Sequence, residues 1–223
     1  MNVYLKSRPI IAPDDLAAWA AGMCYESDNP ERALRGAIAG NHLSVVEHAT
    51  FTFGIEGVSR ALLAQLTRHR IASFSVQSQR YVRLHDFEYV IPPSIKGLGS
   101  GAVEDYERQM RLEYDWYCQW VERLEKAGYH GEAANQDARY VLPNAACTKL
   151  ALTMNGRELL HFFELRCCNR AQWEIRQLAW AMLKECKRMA PTLFKNAGPG
   201  CIRGKCPEGK RACGEPYKRE EDA

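Results

Sequence analysis

The chain has 223 residues, of which 46% are hydrophobic and 26% charged, a composition typical of a globular protein with one sizeable core. Its 30 basic and 27 acidic residues leave a formal net charge of +3, which argues against a general polyanion-binding surface and favours local charge clusters suited to small anions. No apolar run approaches the roughly 20 residues of a membrane span, and the N-terminus has no signal-peptide core, so we expect a cytoplasmic protein without a membrane partner.

Apolar periodicity predicts strands interspersed with helices. We expect strands at 2–5, 48–56, 88–91 and 147–155, an extended segment at 73–78, and helices at 14–24, 30–39, 58–69, 103–124, 135–140, 157–166 and 172–189. The strands are apolar on one side, which indicates a single α+β domain with a mainly antiparallel sheet and helices packed on it. The polar side of the strand at 48–56 either lines a site or faces solvent.

Basic residues are concentrated at 68–81, where the sequence RHRIASFSVQSQRY holds three arginines and one histidine but no acidic residue. Clustered cations repel one another unless an anion lies among them, so we expect an anion-binding site here. The dipole of the preceding helix would stabilise Arg68 and Arg70 near its C-terminus, but it does not account for Arg80. His69 should be neutral, since neighbouring cations lower the pKa of a histidine.

A second polar cluster, Asn155 with Arg157 and His161, begins a predicted helix in which residues four apart share a face. Arginine forks match phosphates and planar imide edges, so two arginine clusters suit two nucleotide-like ligands. A dinucleotide would be bound without a Rossmann fingerprint or a P-loop, because the sequence contains neither motif. Ser78 is interpreted as a hydrogen-bonding residue rather than a nucleophile, because no nucleophile elbow or partner base accompanies it.

The composition changes after residue 195, which divides the chain into a domain at 1–195 and a Cys-, Gly- and Lys-rich tail at 196–223. Cys201, Cys206 and Cys213 of the tail are spaced C-x4-C-x6-C, whereas zinc sites prefer closer pairs and usually have four ligands. We therefore assign no metal. A zinc- or redox-sensing role, a mobile tail, and a tail packed on a neighbouring subunit stay open as alternatives.

Five sequence blocks, in the same order along roughly residues 1–195, resemble the flavin-dependent thymidylate synthases. They are EHATFTF from Glu47, RHRIASFSVQSQRY from Arg68, ARYVLP from Ala138, TMNGRELLHFFELR from Thr153 and AQWEIR from Ala171. The resemblance implies an enzyme that makes dTMP from dUMP, with a methylene group from 5,10-methylenetetrahydrofolate and reducing equivalents from NADPH through FAD. It also implies a homotetramer whose active sites are shared between subunits, with no nucleic-acid partner.

The same resemblance implies roles for individual residues. The residues expected to contact FAD are Thr50, Arg68, His69, Arg70, Asn155, Arg157 and His161. The residues expected to hold dUMP are Gln65, Arg68, Gln77, Ser78, Gln79, Arg80, Arg139 and Arg166. Arg166 is the expected catalytic residue, because its guanidinium would face the uracil edge, favour ionisation of the ring nitrogen and raise electron density at the carbon to be methylated.

Three positions depart from the pattern of this family. Ser75 and Val76 stand where many members have asparagine and glutamate, and Arg170 stands where some members have histidine. Since the valine side chain forms no hydrogen bond, any polar contact at position 76 would have to come from the backbone.

The alternative from a different functional class is an RNA-binding module. In that interpretation residues 68–83 supply positive charge, while Phe74, Tyr81 and Phe87 stack on bases. A steep salt dependence of oligonucleotide binding would support it. It explains the basic segment but not the separate cluster that ends at Arg166.

Overall fold

The computed structural model describes residues 1–7, 10–85 and 88–217. The strands are β1 (Asn2–Leu5), β2 (Thr50–Ser59), β3 (Ala72–Val76) and β4 (Cys147–Asn155). The α-helices are α1 (Pro13–Tyr25), α2 (Pro30–Ala39), α3 (Arg60–Leu66), α4 (Pro93–Gly97), α5 (Ser100–Lys126), α6 (Glu132–Ala138), α7 (Gly156–Arg166), α8 (Trp173–Met189) and α9 (Pro191–Phe194). Short 3-10 helices lie at Leu43–His48, Arg139–Val141, Gly200–Arg203 and Gly209–Arg211.

The strands form an antiparallel sheet in the order β1-β2-β4-β3. Alternation along β2 buries Phe51 and Phe53, whereas Thr50 is exposed. The prediction of an α+β fold with an antiparallel sheet and packed helices is confirmed. Among the described residues, no helix is both long enough and apolar enough to cross a membrane.

The chain divides into two compact units. The first unit comprises residues 1, 56–64 and 75–150, and the second comprises 2–55, 65–74 and 151–223. Strands β2, β3 and β4 therefore each have residues in both units.

The first unit is built around α5, the longest helix. Tyr117 and Val121 of α5 are fully buried and pack with Ala138 at the end of α6. The Tyr117 hydroxyl accepts the Leu84 backbone N–H at 3.3 Å, which ties the segment after β3 to α5. The predicted apolar stripe of this helix therefore forms a core, as its periodicity indicates.

The second unit packs α7, α8 and α9 around an aromatic cluster. The Phe194 ring lies edge-on to Phe51 of β2 at 5.4 Å and to Phe163 of α7 at 5.8 Å. Asp14 of α1 accepts the Thr192 N–H at 2.7 Å and the Leu193 N–H at 3.0 Å, so its carboxylate caps the start of α9. These contacts hold α9 against α1, β2 and α7.

Helix α7 begins at a glycine for a steric reason. The Gly156 N–H donates to the Ala49 carbonyl at 2.7 Å, and a Cβ at position 156 would lie 2.7 Å from the Val46 carbonyl oxygen. This close approach fixes the start of α7, the helix that carries most of the second polar cluster.

Several predicted elements were wrong in extent or type. The strand predicted at 48–56 is Thr50–Ser59, the helix predicted at 103–124 is Ser100–Lys126, and the helix predicted at 135–140 is Glu132–Ala138. The helix predicted at 58–69 is only Arg60–Leu66, because buried Val58 and Ser59 extend β2 and the chain turns after Leu66. The strand predicted at 88–91 is a single bridge between Tyr89 and Ala146, since Pro92 follows at once and cannot donate to a ladder.

Candidate functional site

A three-residue hydrogen-bonded chain lies within the second unit. His69, in the turn after α3, meets both ends of α7. Its Nδ1 lies 3.0 Å from Oε1 of Glu158, and its Nε2 accepts a hydrogen bond from Nε of Arg166 at 3.1 Å. His69 is 5% exposed and Glu158 is 7% exposed, so these two residues are buried, whereas Arg166 is partly buried.

The hydrogen bonds determine the protonation of His69. An Arg166 N–H can only be accepted by an unprotonated Nε2, so the proton of the neutral ring sits on Nδ1 and is donated to Glu158. Burial lowers the pKa of His69, and this outweighs the opposite effect of its hydrogen bond to Glu158; the charge of Arg166 lowers the pKa further. The prediction of a neutral histidine agrees with this direction.

Arg166 and Arg68 form a pair of cations without a described counter-ion. Burial lowers the pKa of Arg166, and the charge of Arg68 lowers it further. Within residues 1–7, 10–85 and 88–217, no carboxylate forms an ion pair with Arg68, Arg70 or Arg166. Two neighbouring positive charges repel each other, and an anion bound between them would relieve that repulsion.

A cleft of about 950 Å³ lies beside this chain in the same unit. Its polar lining includes Asn155, Arg157 and His161. Asn155 is also the N-cap of α7, since its Oδ1 accepts the Glu158 N–H at 2.9 Å. Arg157 donates from Nη1 to Glu47 at 2.6 Å, and the pair is solvent-exposed. The cleft therefore brings together three of the predicted FAD residues.

The structure distributes the other predicted residues between the two units. Thr50, Gln65, Arg68, His69, Arg70 and Arg166 lie in the second unit with the cleft residues. Gln77, Ser78, Gln79, Arg80 and Arg139 lie in the first unit.

In the first unit, four of the predicted dUMP residues, Gln77 to Arg80, lie in the loop and turn after β3, and Arg139 begins a 3-10 helix. The Ser78 hydroxyl oxygen accepts the N–H groups of Arg80 at 3.1 Å and Tyr81 at 3.2 Å. Its own proton is left to donate elsewhere, which fits a hydrogen-bonding residue. The Arg80 guanidinium forms an ion pair with Glu132 and lies 5.5 Å from the Tyr81 ring centroid.

Arg60 is a candidate that sequence reasoning missed. Its Nη2 donates to the Gln77 carbonyl at 3.0 Å, while its buried Nε has no hydrogen-bond partner among the described residues. Burial lowers the pKa of Arg60, and the charge of Arg139 lowers it further. The available signal was an arginine at the first position of a helix, where the dipole disfavours a cation.

Glu158 was also missed, and a sequence signal was present. It stands three residues after Asn155, the spacing of a capping box, in which the glutamate would reach back to the backbone of the N-cap residue. In the structure its carboxylate instead contacts His69, which is 89 residues away in sequence.

The described part of the tail belongs to the second unit and contacts α7 and the segment that follows it. Arg203 contacts Glu164 of α7 at 2.5 Å, and the Tyr217 hydroxyl donates to Asn169 at 2.8 Å. Arg170, which stands where some family members have histidine, contacts the same tail. Its guanidinium donates to the Arg211 carbonyl and lies 3.8 Å from Glu208.

Two structural features concern the alternative roles, zinc sensing and RNA binding. Among the described residues, no group of three or more metal-ligating side chains is arranged to hold a metal ion. Of the aromatic residues proposed to stack on bases, Tyr81 is 69% exposed and Phe74 is half-buried. Phe87 lies outside the described residues.

Comparison with known proteins identifies relatives over most of the chain. A family model described as thymidylate synthase complementing protein matches residues 10–192. A flavin-dependent thymidylate synthase of Clostridium tetani is 43% identical, over 91% of this chain and 89% of the relative. Proteins of the same name are 48% identical in Geobacter sulfurreducens, over 91% and 90% of the two chains, and 51% identical in Nitratidesulfovibrio vulgaris, over 82% and 78%.

Proposed function

This chain belongs to the thymidylate synthase complementing protein family, that of the flavin-dependent thymidylate synthases, and on that premise we propose how its own residues make dTMP. The enzyme methylates dUMP reductively to dTMP, with FAD as cofactor and 5,10-methylenetetrahydrofolate as carbon donor. NADPH is the proposed reductant. The observation that carries the assignment of roles is the pair of cations Arg68 and Arg166, which has no described carboxylate partner.

Arg166 is proposed to activate the pyrimidine. Its Nε is held by His69, so the two Nη groups are available to donate to the uracil edge as a planar fork. A fixed cation at that edge favours the ionised ring and raises electron density at the carbon that receives the methyl group. The nearby charge of Arg68 acts in the same direction.

The two fully buried thiols of the second unit, Cys167 and Cys186, are not suited to act as nucleophiles. Cys167 directly follows Arg166, but it is fully buried, and burial raises its pKa to about 12. Cys186 of α8 is likewise fully buried, and burial raises its pKa well above the ordinary value. Both groups therefore stay as thiols, which are poor nucleophiles.

The cleft offers both hydrogen-bonding and charged groups to a flavin nucleotide. Its three carboxylates, Glu47, Glu158 and Glu164, are each paired with a basic side chain of the same unit. FAD, when bound, supplies the redox chemistry of the reaction. Arg157, His161 and Asn155 line one cleft, with Arg68 and Arg70 unpaired among the described residues of the same unit. We propose these residues and Thr50 as FAD contacts. His69 would contribute indirectly, because both its ring nitrogens are engaged inside the protein.

In the first unit, the proposed role is to hold the phosphate and sugar of dUMP. Arg60 and Arg139 place two cations near each other, and Arg139 donates from Nε to the Gln136 carbonyl at 3.1 Å. The buried and unpartnered Nε of Arg60 supports an anionic ligand at this position. The remaining proposed contacts are Gln77, Ser78, Gln79 and Arg80, with Gln65 in the second unit.

The assembly is proposed to be a cytoplasmic homotetramer with active sites shared between subunits. Residues 1–195 are proposed as the catalytic domain and 196–223 as a C-terminal tail, which the family model ending at residue 192 supports. Light scattering of the purified chain measures the assembly directly, and an active monomer would contradict shared sites.

The proposed function is tested by the visible spectrum of the purified protein, followed by NADPH oxidation with and without dUMP. We expect flavin absorbance and oxidation that dUMP stimulates. A colourless protein that FAD cannot reconstitute would overturn the proposal. If the rate of NADPH oxidation were the same with and without dUMP, the protein would still be a flavoprotein, but dUMP would not be supported as its substrate.

Ser78→Ala should leave measurable dTMP formation. The hydroxyl accepts two backbone N–H groups and has one proton for a ligand, so its loss removes about one hydrogen bond, worth ~1 kcal/mol. We expect the KM for dUMP to rise several-fold while kcat falls little. Ser27→Ala is the matched control, because Ser27 also accepts a backbone N–H in an exposed turn. Complete loss of turnover with intact dUMP affinity would instead indicate a nucleophile.

A further inference from the structure

Glu158 is a buried carboxylate to which the proposed reaction gives no task. Its side chain is 8% exposed, and burial of a carboxylate is unfavourable unless a partner compensates the lost hydration. The partner in this structure is Nδ1 of His69 at 3.0 Å. This pairing joins α7 to the turn after α3, where the basic segment begins.

The His69 ring packs edge-on against two neighbouring rings. Its ring centroid lies 5.0 Å from that of Phe162 and 6.0 Å from that of His161, with interplanar angles of 79° and 62°. Edge-on packing of this kind restricts rotation of the ring. The two nitrogens therefore point in fixed directions, one to Glu158 and the other to Arg166.

The two charges on either side of the ring select the same tautomer. A proton on Nδ1 is attracted by the Glu158 carboxylate, and the Nε2 lone pair is attracted by the Arg166 cation. The opposite tautomer would turn an N–H towards a cation and leave the carboxylate without a donor. The neutral ring thus connects an anion to a cation, and each hydrogen bond strengthens the other.

Arg166 gains a fixed orientation from this arrangement. Nε supplies one of the five N–H groups of the guanidinium, and once His69 accepts it the plane of the group is set. The four N–H groups of Nη1 and Nη2 are then aimed by the protein before any substrate binds. Preorganised donors of this kind are the ones that stabilise developing charge effectively.

We propose that Glu158 is a positioning residue for the reaction: it holds His69 in the Nδ1–H tautomer, so that Nε2 accepts from Arg166 and fixes the guanidinium plane. This inference rests on the proposed function, because it assigns to Arg166 the task of activating the pyrimidine. The positioning chain (Glu158, His69 and Arg166) lies wholly within the second unit.

Acid should break the positioning chain. The charged and titratable groups that face His69 are Glu158, Arg166 and His161. A second proton on His69 converts Nε2 from an acceptor into a donor that faces a cation, which releases Arg166. Because the pKa of His69 is lowered in the folded protein, this loss occurs below the ordinary histidine range, and kcat should fall with acid through that lowered pKa.

The test compares Glu158→Met, which keeps the side-chain length but removes the acceptor, with Glu158→Gln, whose amide oxygen can still accept from Nδ1. For Glu158→Met we expect kcat to fall by about 100-fold, the effect of a misplaced reacting group, with a much smaller change in KM for dUMP. Its acid limb should move to lower pH, because the contact that raises the His69 pKa is gone. Glu158→Gln should recover most of kcat, and Glu185→Met on α8 should match the unaltered enzyme.

A second readout does not depend on turnover. Long-range proton–nitrogen NMR spectra of protein labelled at histidine nitrogen report the tautomer of His69, assigned by its loss in His69→Gln. We expect the Nδ1–H form in the unaltered protein at neutral pH and a mixed population in Glu158→Met. An Nε2–H or doubly protonated ring in the unaltered protein would overturn the inference, and this measurement decides it even if Glu158→Met fails to fold.

If the unaltered enzyme makes no dTMP, the proposed function fails. If it makes dTMP while Glu158→Met keeps the unaltered kcat and the unaltered His69 tautomer, only the positioning role fails.

Discussion

Arg166→Ala is expected to reduce dTMP formation by at least about 100-fold while FAD stays bound. The substitution removes the cation proposed to stabilise the ionised pyrimidine, and loss of one such preorganised group typically lowers kcat by about 10²–10³-fold. It leaves the cleft residues Arg157 and His161 in place, so flavin absorbance should be retained. Single-turnover dTMP formation and the visible spectrum measure the two effects on the same sample.

Two further variants sharpen this result. Arg166→Lys keeps the charge but loses the planar fork and the Nε–H that His69 accepts, so we expect activity between alanine and arginine. Arg188→Ala is the matched control, because Arg188 pairs with Glu185 on the surface of α8. Unchanged turnover in Arg166→Ala would remove the proposed catalytic role.

Among the substitutions proposed for this protein, Phe194→Ala should cause the largest loss of folding stability. The Phe194 side chain is fully buried, and its ring lies edge-on to both Phe51 and Phe163. Its removal therefore leaves a cavity lined by β2, α7 and α9. Truncation of a buried phenylalanine lowers the free energy of unfolding by ~3–5 kcal/mol. Denaturant unfolding at one fixed protein concentration measures the change, since an oligomer's stability depends on concentration.

Phe194→Leu is the control for this prediction. Leucine keeps most of the apolar volume and should lose less than half of what alanine loses. A loss below about 1 kcal/mol for Phe194→Ala would show that the site collapses around the missing ring or that α9 contributes little. Because Phe163 lies on α7, we also expect reduced flavin retention in the alanine variant.

Local sequence patterns predicted the regular elements best where one side of the element is buried. The bounds of β1, α2 and β4 agree with the predicted ones, since alternation or a proline start marks each of them. The helix predicted at 58–69 was too long, because the burial of Val58 and Ser59 in a strand depends on neighbours distant in sequence. The short helices α4 and α9 were missed, since four or five residues carry no readable period.

The chemistry of the site followed from residue types and family resemblance. An unneutralised run of arginines indicates an anion site whatever the fold, and the resemblance names the ligands. The roles of the individual arginines differ in ways the sequence does not reveal. Arg80 pairs with Glu132 and Arg170 with the tail, whereas Arg68 has no carboxylate partner among the described residues.

What the sequence alone decided was the fold class, the family and the presence of cationic clusters, because these depend on local periodicity and on motifs that lie within a few residues. What required the tertiary structure was the pairing of those clusters. His69 meets Glu158 across 89 residues and Arg166 across 97, and the ring lies between them only because α7 packs against the turn after α3. A tautomer is set by which charges flank a ring, and that is a property of three-dimensional proximity rather than of sequence order.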